Sequence, residues 1–85
     1  MKHAGEQALE ALEPLLAEIR RVDGLQEKKR GVFYRKSSGF LHFHEDPAGL
    51  FADLKIDGDY QRFPATTARE RDALVRRIKT ALRRT

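Results

Sequence analysis

Two turn signals in the middle of the chain constrain its fold more than any other feature. Asp46-Pro47-Ala48-Gly49 has Asp, Pro and Gly at the positions that a type I turn favours. Asp57-Gly58 is the dipeptide most typical of a two-residue β-hairpin. Apolar and polar residues alternate on either side of both turns, as they do in half-buried strands. The centre of the chain is therefore predicted to be an antiparallel meander.

The predicted fold class is α+β, a four-stranded antiparallel meander flanked by an N-terminal and a C-terminal helix in one domain over residues 1–85. The predicted strands are Val32–Lys36, Phe40–Glu45, Leu50–Ile56 and Asp59–Phe63. Helical spacing of leucines predicts helices over Gly5–Val22 and Thr67–Arg83. Thr67 and Glu70 have the spacing of a capping box. Residues 25–30 are predicted to be a polar connector.

The turns also predict the register, and hence the two faces of the sheet. If each turn closes its hairpin, Phe43 pairs with Ala52 and Leu54 pairs with Gln61, so apolar residues meet on one face. This core face consists of Val32, Tyr34, Leu41, Phe43, Leu50, Ala52, Leu54, Ile56 and Phe63. The opposite face consists of Phe33, Arg35, Phe40, His42, His44, Phe51, Asp53, Lys55, Tyr60 and Arg62.

Three phenylalanines on one open sheet face make a larger apolar patch than a monomer usually exposes. The first hypothesis is therefore a non-enzymatic binding module that uses this aromatic and histidine-containing face. Aromatic and arginine side chains are enriched at interface cores. The predicted partner is a second copy of the chain or another protein. A helix over each face of the sheet would remove the patch.

A second hypothesis is a nucleic-acid-binding module. Bases stack on aromatic residues of sheet surfaces, and Arg35, Lys55 and Arg62 would lie among the aromatics. The C-terminal helix adds a basic stripe that suits phosphates, and the net charge is +4. The stripe consists of Arg69, Arg76, Arg77, Lys79, Arg83 and Arg84. A solvated helix face has the same composition.

A third hypothesis is a metal site. His42 and His44 are two residues apart, so both imidazoles lie on one face of a strand, with Asp53 across the strand as a third donor. In the alternative, the two histidines are polar residues of a sheet face, hydrogen-bonded to Asp53 or to a partner. His3 is the one other histidine of the chain.

Composition excludes several classes of protein. The 85 residues contain no cysteine, so disulfides, thiolate catalysis and cysteine-ligated metal sites are excluded. No run of about 18 apolar residues is present, and the N-terminus lacks the apolar stretch of a signal peptide, so a cytoplasmic protein without membrane contact is predicted. No glycine-rich phosphate loop or nucleophile beside a base is evident, so neither cofactor nor enzyme activity is predicted.

The segment from Arg30 to Lys55, followed by residues 62–67, resembles a group of short bacterial proteins. These proteins share a core of the form FYR…FLHFHEDPAGLFADLK between two helices, and the resemblance covers most of the chain. The group has no assigned activity, so the resemblance transfers no functional residue. It implies a bacterial, cytosolic, self-contained protein.

Overall fold

The structure, a computed structural model, describes residues 1–83 and has an α+β fold. Its elements in chain order are β1 (Lys2–His3), α1 (Glu6–Arg20), β2 (Gln26–Lys29), β3 (Val32–Arg35), β4 (Ser38–Asp46), β5 (Gly49–Ile56), β6 (Asp59–Pro64) and α2 (Ala68–Arg83). The antiparallel sheet thus has six strands, and the prediction of four strands is wrong. Neither helix within residues 1–83 is long and apolar enough to cross a membrane.

Besides the four predicted strands, the sheet contains β2 at its edge and the short strand β1 beside β4. The strand order is β2-β3-β4-β5-β6, and every neighbouring pair is antiparallel. The remaining strand, β1, pairs with the end of β4 that β3 does not reach. One edge of β4 is therefore shared between β1 and β3, while β5 occupies the other.

The strand β2 was predicted to be a polar connector because it has no apolar face. Backbone pairing with β3 and ion pairs with α1 hold it instead. Arg20 of α1 donates to both Glu13 and Glu27, and Arg30 donates to Glu13. Glu27 also accepts the backbone N–H of Gly31, at 2.9 Å. A charged clamp, which leaves no hydrophobic periodicity, thus fixes this strand against the helix.

The predicted register of the two hairpins is confirmed. Phe43 pairs with Ala52 across β4 and β5, and Leu54 pairs with Gln61 across β5 and β6. His42 also pairs with Asp53 as predicted. The turns therefore place the inner and outer residues of β5, β6 and the part of β4 from Leu41 onward correctly.

The faces of β3 are the reverse of those predicted, because a β-bulge interrupts its pairing with β4. Phe33 pairs with Leu41 but Tyr34 pairs with Gly39, so Phe40 is an extra residue on β4. Phe33 and Phe40 are therefore core residues, 1% and 4% exposed, and their assignment to the outer face is wrong. Val32, which pairs with His42, takes a place on the outer face.

Both helices pack on the inner face of the sheet. Their buried residues form a single core with the inner strand residues. That core consists of Leu12, Leu15, Leu16, Ile19, Phe33, Phe40, Leu41, Phe43, Ala52, Leu54, Ala65, Leu74, Val75, Ile78 and Ala81.

Pro14 lies within α1 and faces solvent. The capping box is confirmed, because Glu70 N donates to Thr67 Oγ1 and Thr67 N donates to Glu70 Oε1. Within residues 1–83 no helix covers the outer face.

The corrected position of Phe33 predicts a large asymmetry between two phenylalanines. Phe33→Ala should lower the free energy of unfolding by about 3–5 kcal/mol, because it leaves a cavity in the core. Phe51→Ala should cost less, because Phe51 is half-buried on the outer face. Urea denaturation measures both. Equal losses, or a larger loss at Phe51, would show that the bulge is misplaced.

The clamp on β2 predicts a pH-dependent contribution to stability. The hydrogen bond from Arg20 lowers the pKa of Glu27 by more than burial raises it. A lowered folded-state pKa stabilises the protein above the unfolded value of about 4.3, and this stabilisation is lost as the pH falls through the folded-state pKa. Glu27→Gln should therefore reduce the free energy of unfolding by about 1–2 kcal/mol at pH 7.

The difference between Glu27→Gln and the unmodified protein should shrink below about pH 4. Glu18→Gln, at an exposed position of α1, is the matched control and should change stability by less than about 0.5 kcal/mol. Urea denaturation at pH 7 and pH 3 tests this. A difference that is the same at both pH values would contradict the clamp.

Candidate functional site

Three histidines from two strands meet on the outer face of the sheet. His42 and His44 lie on the same face of β4 because they are two residues apart. β1 pairs antiparallel with the end of β4 and sets His3 directly opposite His44. We call His3, His42 and His44 the histidine cluster.

The imidazole rings of the histidine cluster are in mutual contact. His42 Nδ1 lies 3.2 Å from His44 Nε2. The rings of His3 and His44 stack with their centroids 4.8 Å apart, and those of His3 and His42 are 5.9 Å apart. Each histidine brings one ring nitrogen within 4.8 Å of a nitrogen of both others. The three rings thus form one compact group.

A buried carboxylate lies beside the histidine cluster. Asp53 is 8% exposed, and its Oδ2 lies 2.9 Å from His44 Nε2. Arg62 donates from Nε to Oδ1 at 2.8 Å and from Nη2 to Oδ2 at 2.9 Å. These hydrogen bonds lower the pKa of Asp53, against the opposing effect of its burial. Asp53 is therefore ionised at neutral pH and fixed by Arg62.

His44 has one nitrogen bound to the protein and one that is not. Its Nε2 lies 2.9 Å from Asp53 Oδ2 and 3.2 Å from His42 Nδ1. The residue is 8% exposed, and within residues 1–83 its Nδ1 is buried without a hydrogen-bond partner. A buried polar atom left in this state costs free energy unless another group satisfies it.

His42 is held in its neutral form. Burial lowers the pKa of its ring more than the nearby Asp53 carboxylate raises it. The stacked His44 and His3 act in the same direction as burial. A neutral imidazole keeps a lone pair available to a cation at neutral pH, which a protonated ring does not.

Other members of the predicted binding face are dispersed. Phe51 is half-buried on the outer face, and Tyr60 is 44% exposed with its ring 4.8 Å from that of His42. Lys55 donates to Ser38 Oγ at 2.8 Å. Arg35 reaches the inner side, where it donates to the carbonyl of Leu82 at the end of α2. The outer face thus carries less apolar surface than predicted.

The predicted basic stripe and the outer face do not form one surface. Arg69, Arg76, Arg77, Lys79 and Arg83 are exposed on α2, which packs on the inner face of the sheet. The sixth predicted member, Arg84, lies outside the described residues. Arg77 packs over the ring of Phe63, 4.5 Å from its centroid.

His3 is the member of the histidine cluster that sequence reasoning did not place. Its strand has two residues, which is too short for alternation to be visible. The backbone of Ala4 donates to the Phe43 carbonyl at 3.1 Å and secures the pairing. The available signal was the histidine count, since all three histidines of the chain belong to the cluster.

Comparisons with known proteins add no further evidence, because no family model, curated sequence or solved structure matches the chain.

Because Asp53 pairs with Arg62 and His44, replacing it should lower the stability of the protein more than replacing an exposed carboxylate of the sheet. Asp53→Asn should lower the free energy of unfolding by about 1–3 kcal/mol, because Arg62 loses a charged acceptor and His44 loses its anionic partner. Asp59→Asn, at an exposed carboxylate of the neighbouring hairpin, should change it by less than about 0.5 kcal/mol. Urea denaturation compares them, and equal effects would remove Asp53 from the site.

Proposed function

We propose that the protein is a small binding module of the outer sheet face, and that its ligand is a divalent transition-metal ion held by the histidine cluster. His3, His42 and His44 would each contribute one imidazole nitrogen. Zinc is the first ion to test, because imidazole is among its preferred ligands and the chain offers no thiolate.

The observation that carries the proposal is the spacing of the ring nitrogens. Tetrahedral ligands 2.0–2.1 Å from a zinc ion are separated from one another by about 3.3–3.4 Å. His42 Nδ1 and His44 Nε2 are 3.2 Å apart, and nitrogens of all three rings lie within 4.8 Å. The exposed His3 ring, which stacks on His44, would need to turn and to move by about 1.5 Å to reach this spacing.

The surroundings of the ring nitrogens support a cation over an incidental cluster. The ionised carboxylate of Asp53 lies 2.9 Å from His44 Nε2, the same nitrogen that lies 3.2 Å from His42 Nδ1. Its negative charge favours a cation at this point.

The same geometry weakens the support for the other two ligand classes. A protein partner was inferred from three exposed phenylalanines, of which Phe33 and Phe40 are buried. A nucleic acid was inferred from the outer face together with the basic stripe of α2, and these lie on opposite sides. The metal hypothesis instead gains a third ligand, since His3 joins His42 and His44.

Isothermal titration of untagged protein with zinc chloride tests the proposal. We expect one zinc ion per chain and no binding of magnesium, which prefers oxygen ligands. His3→Ala should weaken zinc binding by about tenfold or more, because it removes one of three ligands, and should leave the fold intact because His3 is exposed.

Lys2→Ala is the matched control, since Lys2 is the other residue of β1 and its side chain is solvent-exposed. It should bind zinc like the unmodified protein. Zinc binding that is absent, or that is unchanged in His3→Ala, would overturn the proposal.

A further inference from the structure

A cleft opens at the edge of β4, next to the histidine cluster. β3 pairs with β4 as far as His42, and β1 resumes the pairing at His44. Phe43 lies between the two paired segments, and its carbonyl accepts from Ala4 N. The opening has a volume of about 490 Å³, and both His3 and His42 line it. Small-molecule sites have volumes of about 300–1,000 Å³.

The remaining walls of the cleft are apolar, with a basic rim. Leu9, Val32 and Phe43 form the apolar part, and Lys29 and Arg30 lie at the rim. No carboxylate lines the cleft within the described chain. An apolar wall under a cationic rim complements a small organic anion.

The two cations at the rim differ in whether a carboxylate of the protein already neutralises their charge. Arg30 is paired with Glu13 and Glu10 of α1. Lys29 has no carboxylate within ion-pair distance among residues 1–83 and is solvent-exposed. Lys29 is therefore the charge that remains available to an incoming anion.

The histidine cluster would leave a bound metal ion one position short of tetrahedral. Both oxygens of Asp53 accept from Arg62, and this ion pair competes with a bond from the carboxylate to the metal ion. Three protein ligands and one open position are typical of zinc sites that bind an exogenous ligand, whereas structural sites have four protein ligands.

Resting on the metal site proposed above, we infer that the cleft between β1 and β3 binds a small organic anion. Its carboxylate would occupy the open position of the metal ion held by His3 and His42 with His44. Its apolar body would lie against Leu9, Val32 and Phe43, as the lining of the cleft allows.

Cobalt(II) in place of zinc makes both metal binding and anion binding visible, because its d–d absorption responds to the ligands around it. Cobalt-loaded protein is titrated with benzoate, acetate and the uncharged benzamide. We expect benzoate to alter the spectrum saturably and to bind about tenfold or more tightly than acetate, because its ring is buried in the cleft. Benzamide should have no effect at the same concentrations.

Two substitutions at Val32 separate charge from shape. Val32→Glu places a carboxylate in the cleft and should weaken benzoate binding at least about tenfold relative to Val32→Gln, which has nearly the same shape without charge. Both variants should give the spectrum of unliganded cobalt protein when no anion is added.

The possible failures are distinguishable. Absence of a cobalt spectrum would overturn the metal site itself. A cobalt spectrum that benzoate leaves unchanged would overturn the anion site alone. Equal affinities for benzoate and acetate, or equal benzoate affinities in the two Val32 variants, would show that the anion does not lie in the cleft.

Discussion

The pairing of β4 with three other strands is the constraint on which the rest of the structure depends. β5 runs along one edge of β4, while β3 and β1 share the other. This arrangement sends Leu41 and Phe43 into the core beneath both helices and leaves His42 and His44 on the opposite face. The edge shared by β1 and β3 gives the outer face its third histidine and its cleft.

The parts of the fold that follow from local chemistry could be predicted from the sequence. The Asp57-Gly58 turn fixes β5 against β6, and the capping box at Thr67 fixes the start of α2, because each signal involves residues at most three positions apart. β2 could not be predicted in this way. It is held by its pairing with β3 and by the ion pair of Arg20 with Glu27, neither of which leaves a periodic pattern in the sequence.

His42, His44 and Asp53 of the candidate site could be predicted from the sequence, but the third histidine of the site could not. The spacing of His42 and His44 places both imidazoles on one face, and the hairpin register sets Asp53 opposite His42. The bulge at Phe40 reversed the expected faces of β3, because one extra residue changes which side every following side chain occupies. His3 depends on a two-residue strand, which only tertiary contacts specify.

X-ray absorption at the zinc edge of the zinc-loaded protein tests the central claim most directly. The account predicts three imidazoles per zinc ion, with nitrogens at about 2.0–2.1 Å and the outer-shell scattering characteristic of histidine rings. One further light atom would complete the first shell. A first shell of oxygen atoms alone, or scattering from fewer than three imidazoles, would contradict a site built from His3, His42 and His44.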